Sequence, residues 1–139
     1  MSFAADIHKF TVKATHNADK VLRGTALSMF GKIIQRTPID IGRLRGNWQT
    51  ELNSVPRSTV NQTPNGATSK GNATIGRAKI TDSIYIVNNL PYARVVEYGL
   101  YPDGPKTAGG YSKQSPQGMV RVTVAEFKRE VENNARRVR

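Results

Sequence analysis

Apolar residues in the first part of the chain recur at alternating intervals of four and three: Phe3, Ile7, Phe10, Ala14, Ala18, Val21 and Thr25. This spacing puts them on one face of a helix. From Val21 onward the stripe widens with Leu22, Met29, Phe30, Ile33 and Ile34, so the second half of the predicted helix is the more deeply buried. Gly24 and Gly31 each weaken it by about 1 kcal/mol relative to alanine and are the candidate bends. Thr37-Pro38 ends it, because a residue before proline is pushed out of helical geometry. The period then changes to two. In "NWQTEL" (47–52), Trp48, Thr50 and Leu52 alternate with polar residues, as in a half-buried strand. "TDSIYIVNN" (81–89) is apolar on both faces, through Ile84 and Ile86 on one and Tyr85 and Val87 on the other, which predicts a central strand. Tyr92, Val95 and Val96 return to helical spacing, with Pro91 where a helix starts and Gly99 where one stops. A two-turn helix docked on the sheet is expected there. After a Gly- and Pro-rich loop (100–116), Val120, Val122 and Val124 alternate like a strand, yet Val120, Val124, Phe127 and Val131 keep helical spacing. The upstream proline and the length of the pattern favour a C-terminal helix, with Arg136, Arg137 and Arg139 at the end where its dipole favours cations.

Between these elements lie two turn-rich stretches. Pro38, Asp40 and Gly42 make a turn in which Asp40 is placed to cap the following amides, and Arg43-Leu44-Arg45 is a short helical turn or a strand entry. Residues 53–78 are dominated by Asn, Ser, Thr, Gly and Pro. Val60 and Ile75 are candidate short strands of an extended hairpin with "PNG" at its tip. The segment 57–78 reads as a mobile basic arm carrying Arg57, Lys70, Arg77 and Lys79, ordered on assembly. The elements together predict one α+β domain over 1–139: a long N-terminal helix and a C-terminal helix packed on a small, mostly antiparallel sheet, with a long flexible loop.

Charge changes the functional picture. The chain has 21 Lys+Arg against 10 Asp+Glu, a formal net charge of +11. The excess is dispersed: residues 57–79 hold four basic and no acidic side chains, and residues 119–139 hold six and three. Such a surface suits nucleic acid or an acidic protein surface, or is simply a solvated face. There is no cysteine, which excludes disulfides and thiolate metal sites. The apolar runs are far short of the roughly 20 residues a membrane span needs. Residues 1–20 lack the apolar centre of a signal peptide, so a soluble protein used without export is expected.

Candidate chemistry is sparse. His8 and His16 lie eight apart on the first helix without partners, as solvated residues do. No nucleophile sits beside either, and the carboxylates are scattered, so neither nucleophilic nor metal-assisted hydrolysis is indicated. Trp48, the single tryptophan, suits core packing better than base stacking. The best acid/base pair is Glu97 with Asp103, and it has no accompanying ligand constellation. No cofactor or metal is implied, and a non-enzyme is expected.

Three short motifs in order resemble a known family. They are "TPIDIGRLRGNW" (37–48), "IYIVNNLPYARVVEYG" (84–99) and "SPQGMVRVTVAEF" (115–127). The chain resembles the tail-component (tail-completion, or neck) family of long-tailed bacteriophages, to which the minor tail protein Z of phage lambda is related. The matching positions are Thr37, Pro38, Asp40, Gly42, Leu44 and Arg45, then Asn88, Tyr92, Ala93, Glu97 and Gly99, then Gln114, Pro116, Gly118 and Met119. The chain departs from the pattern at Ile41, where threonine is common, and in the insertion "LYPDGPKTAGGY" (100–111). The resemblance implies a structural virion protein at the head–tail junction, made in the host cytoplasm and acting as a homo-oligomeric ring, a hexamer being favoured. It further implies other neck and tail proteins as partners, non-specific contact with packaged DNA, and no membrane. Asp40, Arg45, Trp48, Asn88, Tyr92, Glu97 and Tyr98 become structural or interface residues. Glu97 and Arg45 are expected as an ion pair or ring contacts, with the two tyrosines packing their helix on the sheet. The alternative from another class is a stand-alone basic nucleic-acid-binding module, followed by a nuclease.

Overall fold

The computed structural model describes residues 3–39 and 42–138, the side chains of 3–8 and 10–12 excepted. Helix α1 runs unbroken over Phe3–Gln35. Its second half carries the core face, with Ala26, Phe30, Ile33 and Ile34 buried, whereas residues 13–16 are exposed. Neither glycine interrupts it. Gly24 instead permits a close helix contact, because a Cβ there would stand 2.1 Å from the Asn134 side-chain oxygen. The helix stops where Thr37 turns its hydroxyl back to the Ile33 carbonyl at 2.7 Å and Pro38 follows.

A short helix α2 (Arg43–Gly46) leads into strand β1 (Trp48–Leu52). Gly42 enters it in the left-handed region at φ 75°, a conformation that favours glycine. The next element corrects the sequence reading. No hairpin forms between Val60 and Ile75, and Pro64–Ile75 is helix α3. Thr63 is its N-cap, accepting from the Gly66 amide at 3.0 Å, and Pro64 supplies the first turn. The inward face is made of small residues, Ala67, Gly71 and Thr74, together with Ile75, all buried. Gly71 lies so near the Phe30 ring that an added Cβ would be 2.4 Å from it. Tertiary packing overrides the poor helix propensity of this Gly/Asn/Thr-rich sequence. Upstream, the extended stretch around residues 56–60 is held by side chains. Asn89 donates to the Pro56 and Ser58 carbonyls, Gln49 to Ser58, and the Val60 amide to Asn47. Within the segment 57–78, helix α3 is thus packed on the domain through Ala67, Gly71, Thr74 and Ile75.

Strand β2 (Ile84–Asn88) pairs antiparallel with β1, from Trp48 opposite Asn88 to Leu52 opposite Ile84. It is not central: among the described residues β1 is its sole strand neighbour. Ile84 and Ile86 pack against the core while Tyr85 is exposed, so just one of its apolar faces is well covered. Helix α4 (Ala93–Tyr98) ends at Gly99, in the left-handed region at φ 66°. The expected loop beyond contains a small hairpin, β3 (Thr107–Ala108) with β4 (Tyr111–Ser112), turned at Gly109-Gly110. The C-terminal helix is two helices, α5 (Val120–Val124) and α6 (Phe127–Arg137). Its anticipated apolar stripe faces the core only at Val120: Val124 and Phe127 are about half exposed, and Thr123, Glu130 and Asn134 are the buried positions. The architecture remains α+β, helices around a small antiparallel sheet, with Phe30, Ile33, Trp48, Ile75, Val96 and Met119 at its centre.

Candidate functional site

Hydrogen bonds converge on two points, the C-terminal end of α1 and the N-terminal end of α5. At the first, the last α1 carbonyls need donors. Arg45 supplies them, its Nε bonding the Thr37 carbonyl at 2.8 Å and its Nη2 the Gln35 carbonyl at 3.2 Å. Its partial burial lowers the guanidinium pKa from the usual value. Trp48 Nε1 donates to the Thr37 hydroxyl at 2.8 Å, which combines core packing with a polar tether. The loop before α5 closes on the same place: Gln114 bonds both the amide and the carbonyl of Ile39, and the Ser115 hydroxyl donates to the Arg36 carbonyl.

At the second point Glu97, 7% exposed, reaches from α4 to cap α5. Its carboxylate accepts from the amides of Met119 (2.8 Å), Val120 (2.7 Å) and Arg121 (3.1 Å), and from Arg121 Nε at 3.0 Å. Burial on its own would raise this carboxyl, but the three amides and the guanidinium outweigh it and hold the pKa below the ordinary value. A side chain at Gly118 would collide with this arrangement, since a Cβ would lie 2.8 Å from the Glu97 carbonyl oxygen, and its φ is 83°. Arg121 then lies 4.6 Å from the Tyr98 ring centroid and also reaches the Tyr111 hydroxyl.

The expected Glu97–Arg45 pair does not form. Glu97 pairs with Arg121 and Arg45 caps α1, because each buried group meets the nearest helix end in need of its charge. The tyrosines do not pack α4 on the sheet either. Tyr92 and Tyr98 are 36% and 51% exposed, and Ala93 and Val96 are the α4 residues buried in the core. Asn88 ties β2 to α2 through the Leu44 carbonyl at 2.8 Å. Asp40 lies outside the described residues. Arg57, Lys70, Arg77 and Lys79 are all exposed. Asp103 is exposed in its loop, and no bond joins it to Glu97 among the described residues. No cluster of His, Asp and Glu able to hold a metal occurs among the described residues, and no helix there is long and apolar enough to cross a membrane.

Sequence reasoning missed a third polar cluster, between α1 and α6. Lys32 bonds Glu126 and Glu130, Arg36 bonds Glu126 and Thr123, and Ser28 bonds Glu130 at 2.7 Å. Hydrogen bonds from Lys32 and Arg36 pull the Glu126 carboxyl down to about 2. The available signal was an acid pair four apart, Glu126 and Glu130, opposite a cation pair four apart, Lys32 and Arg36.

The described motif residues Arg45 and Glu97 thus tie helix ends together through bonds to backbone groups. The family described as "Bacteriophage HK97-gp10, putative tail-component" matches residues 2–99, and the chain belongs to it. It is therefore a structural phage tail component of the virion, working among other tail proteins. The matched stretch contains the Thr37–Arg45 and Asn88–Gly99 motifs and ends before Gln114–Met119. No curated protein and no solved structure matches the chain.

Proposed function

We propose that this protein is a ring-forming tail-completion or neck component that joins the phage tail to the head and lets DNA pass, without catalysing a reaction. Membership of the tail-component family carries the proposal. The charge arrangement supports it: Asp19, Asp82, Glu97, Glu126 and Glu130 are engaged inside the domain, whereas Arg57, Lys70, Arg77 and Lys79 face outward. An outward cationic surface suits a conduit wall beside DNA or the acidic face of a neighbouring ring. A hexamer is the favoured copy number. Glu97 serves as a structural cap, its acceptors directed at backbone amides rather than at a substrate.

The test is light scattering of the purified protein, alone and mixed with tail tubes. Ring-sized assemblies that form on tubes are expected. A monomer that never joins tails, yet binds one DNA sequence tightly at physiological salt, would overturn the proposal in favour of a solitary nucleic-acid binder.

A further inference from the structure

Helix α6 meets α1 through Glu130 and Asn134, which turns its apolar residues Phe127 and Val131 to one side. With Val21 and Leu22 of α1 and with Ile80 they line a groove of about 340 Å³. Phe127 and Ile80 are 51% and 50% exposed, too much large apolar surface in one place to be incidental. Thr25 also lines the groove. It is 3% exposed, and its hydroxyl has no hydrogen-bond partner among the described residues. That hydroxyl is itself shielded beneath the groove wall, which is almost wholly apolar. The surroundings are mainly basic, with Glu132 beside Val131 as the one exposed carboxylate adjacent in sequence to a lining residue. Lys20, Lys79 and Lys128, each adjacent in sequence to a lining residue, are exposed and make no salt bridge among the described residues. The other nearby carboxylates are occupied, Asp19 by Arg23 and the Ile80 amide, Glu130 by Lys32 and Ser28.

We propose that this groove receives an acidic amphipathic segment of another protein. Its apolar side chains enter beside Phe127 and Leu22, and carboxylates meet the three lysines. A second copy of the chain is the poorer occupant, because it brings a net charge of +11 to a rim that is already basic. The proposal concerns the isolated protein and does not depend on ring formation.

The test uses two synthetic amphipathic helical peptides with the same leucine stripe, one with glutamate and one with lysine on the polar face, followed by fluorescence anisotropy. The glutamate peptide should bind and the lysine peptide should not, with binding weakened by salt. Phe127→Glu should weaken it by about tenfold or more, the loss of one buried aromatic contact. Because Phe127 is half exposed, that variant should keep its melting temperature. If it does not, Ile80→Glu replaces it. Equal binding of the two peptides, or binding indifferent to both variants, overturns the proposal. Two further results also overturn it: concentration-dependent self-association abolished by Phe127→Glu would seat a second copy in the groove, and binding to phosphatidylserine vesicles without peptide binding would seat a membrane surface.

Discussion

Arg121 holds Glu97 in two places, with Nε on the carboxylate at 3.0 Å and Nη2 on the backbone carbonyl at 2.7 Å. The pair is asymmetric, since the Glu97 side chain is 10% exposed and that of Arg121 is 55% exposed. A partly hydrated guanidinium adds little to stability by itself. What matters more is that the buried carboxylate also satisfies three orphan amides at the start of α5.

Glu97→Gln should therefore act on stability and assembly. The amide retains one acceptor oxygen and sets an NH2 against donors, leaving buried groups unsatisfied. A loss of about 1–3 kcal/mol in urea unfolding is expected, with faster amide exchange at Met119, Val120 and Arg121. An unchanged unfolding midpoint would remove the capping role.

Much of the fold was legible because burial follows period. The α1 stripe, the β1 alternation and the Pro91–Gly99 helix each show in the spacing of apolar residues and in a terminal proline or glycine. Helix α3 was misread although Thr63-Pro64 is an N-cap followed by a first-turn proline, because its inward face is Ala, Gly and Thr and gives almost no apolar period. The two-faced pattern of β2 suggested a second strand neighbour that the described residues do not supply. In the site, the importance of Glu97 and Arg45 was visible, but their partners were not. Arg121 lies 24 residues from Glu97, and only the turn at Gly118 and the direction of α5 bring them together.

Two glycines should respond in opposite directions to alanine. At Gly31 an added Cβ meets nothing within 4 Å, so Gly31→Ala gains helix propensity and should stabilise by about 0.5–1 kcal/mol. At Gly71 the same Cβ falls 2.4 Å from the fully buried Phe30 ring, and overpacking should destabilise by about 1–3 kcal/mol. Thermal melting of both variants checks this. Destabilisation at Gly31 or tolerance at Gly71 would contradict the helix contacts described.

Stability should have an acid limb. The Glu126 carboxyl, ordinarily near 4.5, is held at about 2 by Lys32 and Arg36. Glu130, bonded by Lys32 and Ser28, and Glu97 are lowered as well. A carboxylate whose pKa falls on folding contributes fully above its unfolded value, and the contribution is lost as pH falls through the folded one. The loss attributable to Glu126 thus lies between about pH 4.5 and 2. Lys32 has the opposite sign. The hydrogen bonds it donates to Glu126 and Glu130 raise it above 10.5, so its contribution is complete below that pH and lost as pH rises through the higher folded value. Urea midpoints across pH should show a plateau with a fall on the acid side, shallower in Glu126→Gln. An identical acid limb in that variant would place the titrating contact elsewhere.

Contact with DNA, if the proposed conduit role holds, should be electrostatic and indifferent to sequence. The cations Arg57, Lys70, Arg77 and Lys79 are exposed along one continuous stretch of chain, whereas aromatic residues are 7% of the chain and Trp48 is buried. The exposed rings Tyr85, Tyr92 and Tyr98 lie outside that stretch, so no aromatic stands beside its cations in sequence. Each phosphate neutralised contributes about −0.9 to the slope of log K against log salt. Lys70→Gln with Arg77→Gln should reduce that slope by about 2 while leaving association with tail tubes intact. The measurement is binding to a short duplex from low to physiological salt, beside co-sedimentation with tubes. A slope unmoved by both substitutions would place the phosphate contacts on another face. Loss of tube association together with DNA binding would mean that these cations hold a protein neighbour and not the nucleic acid.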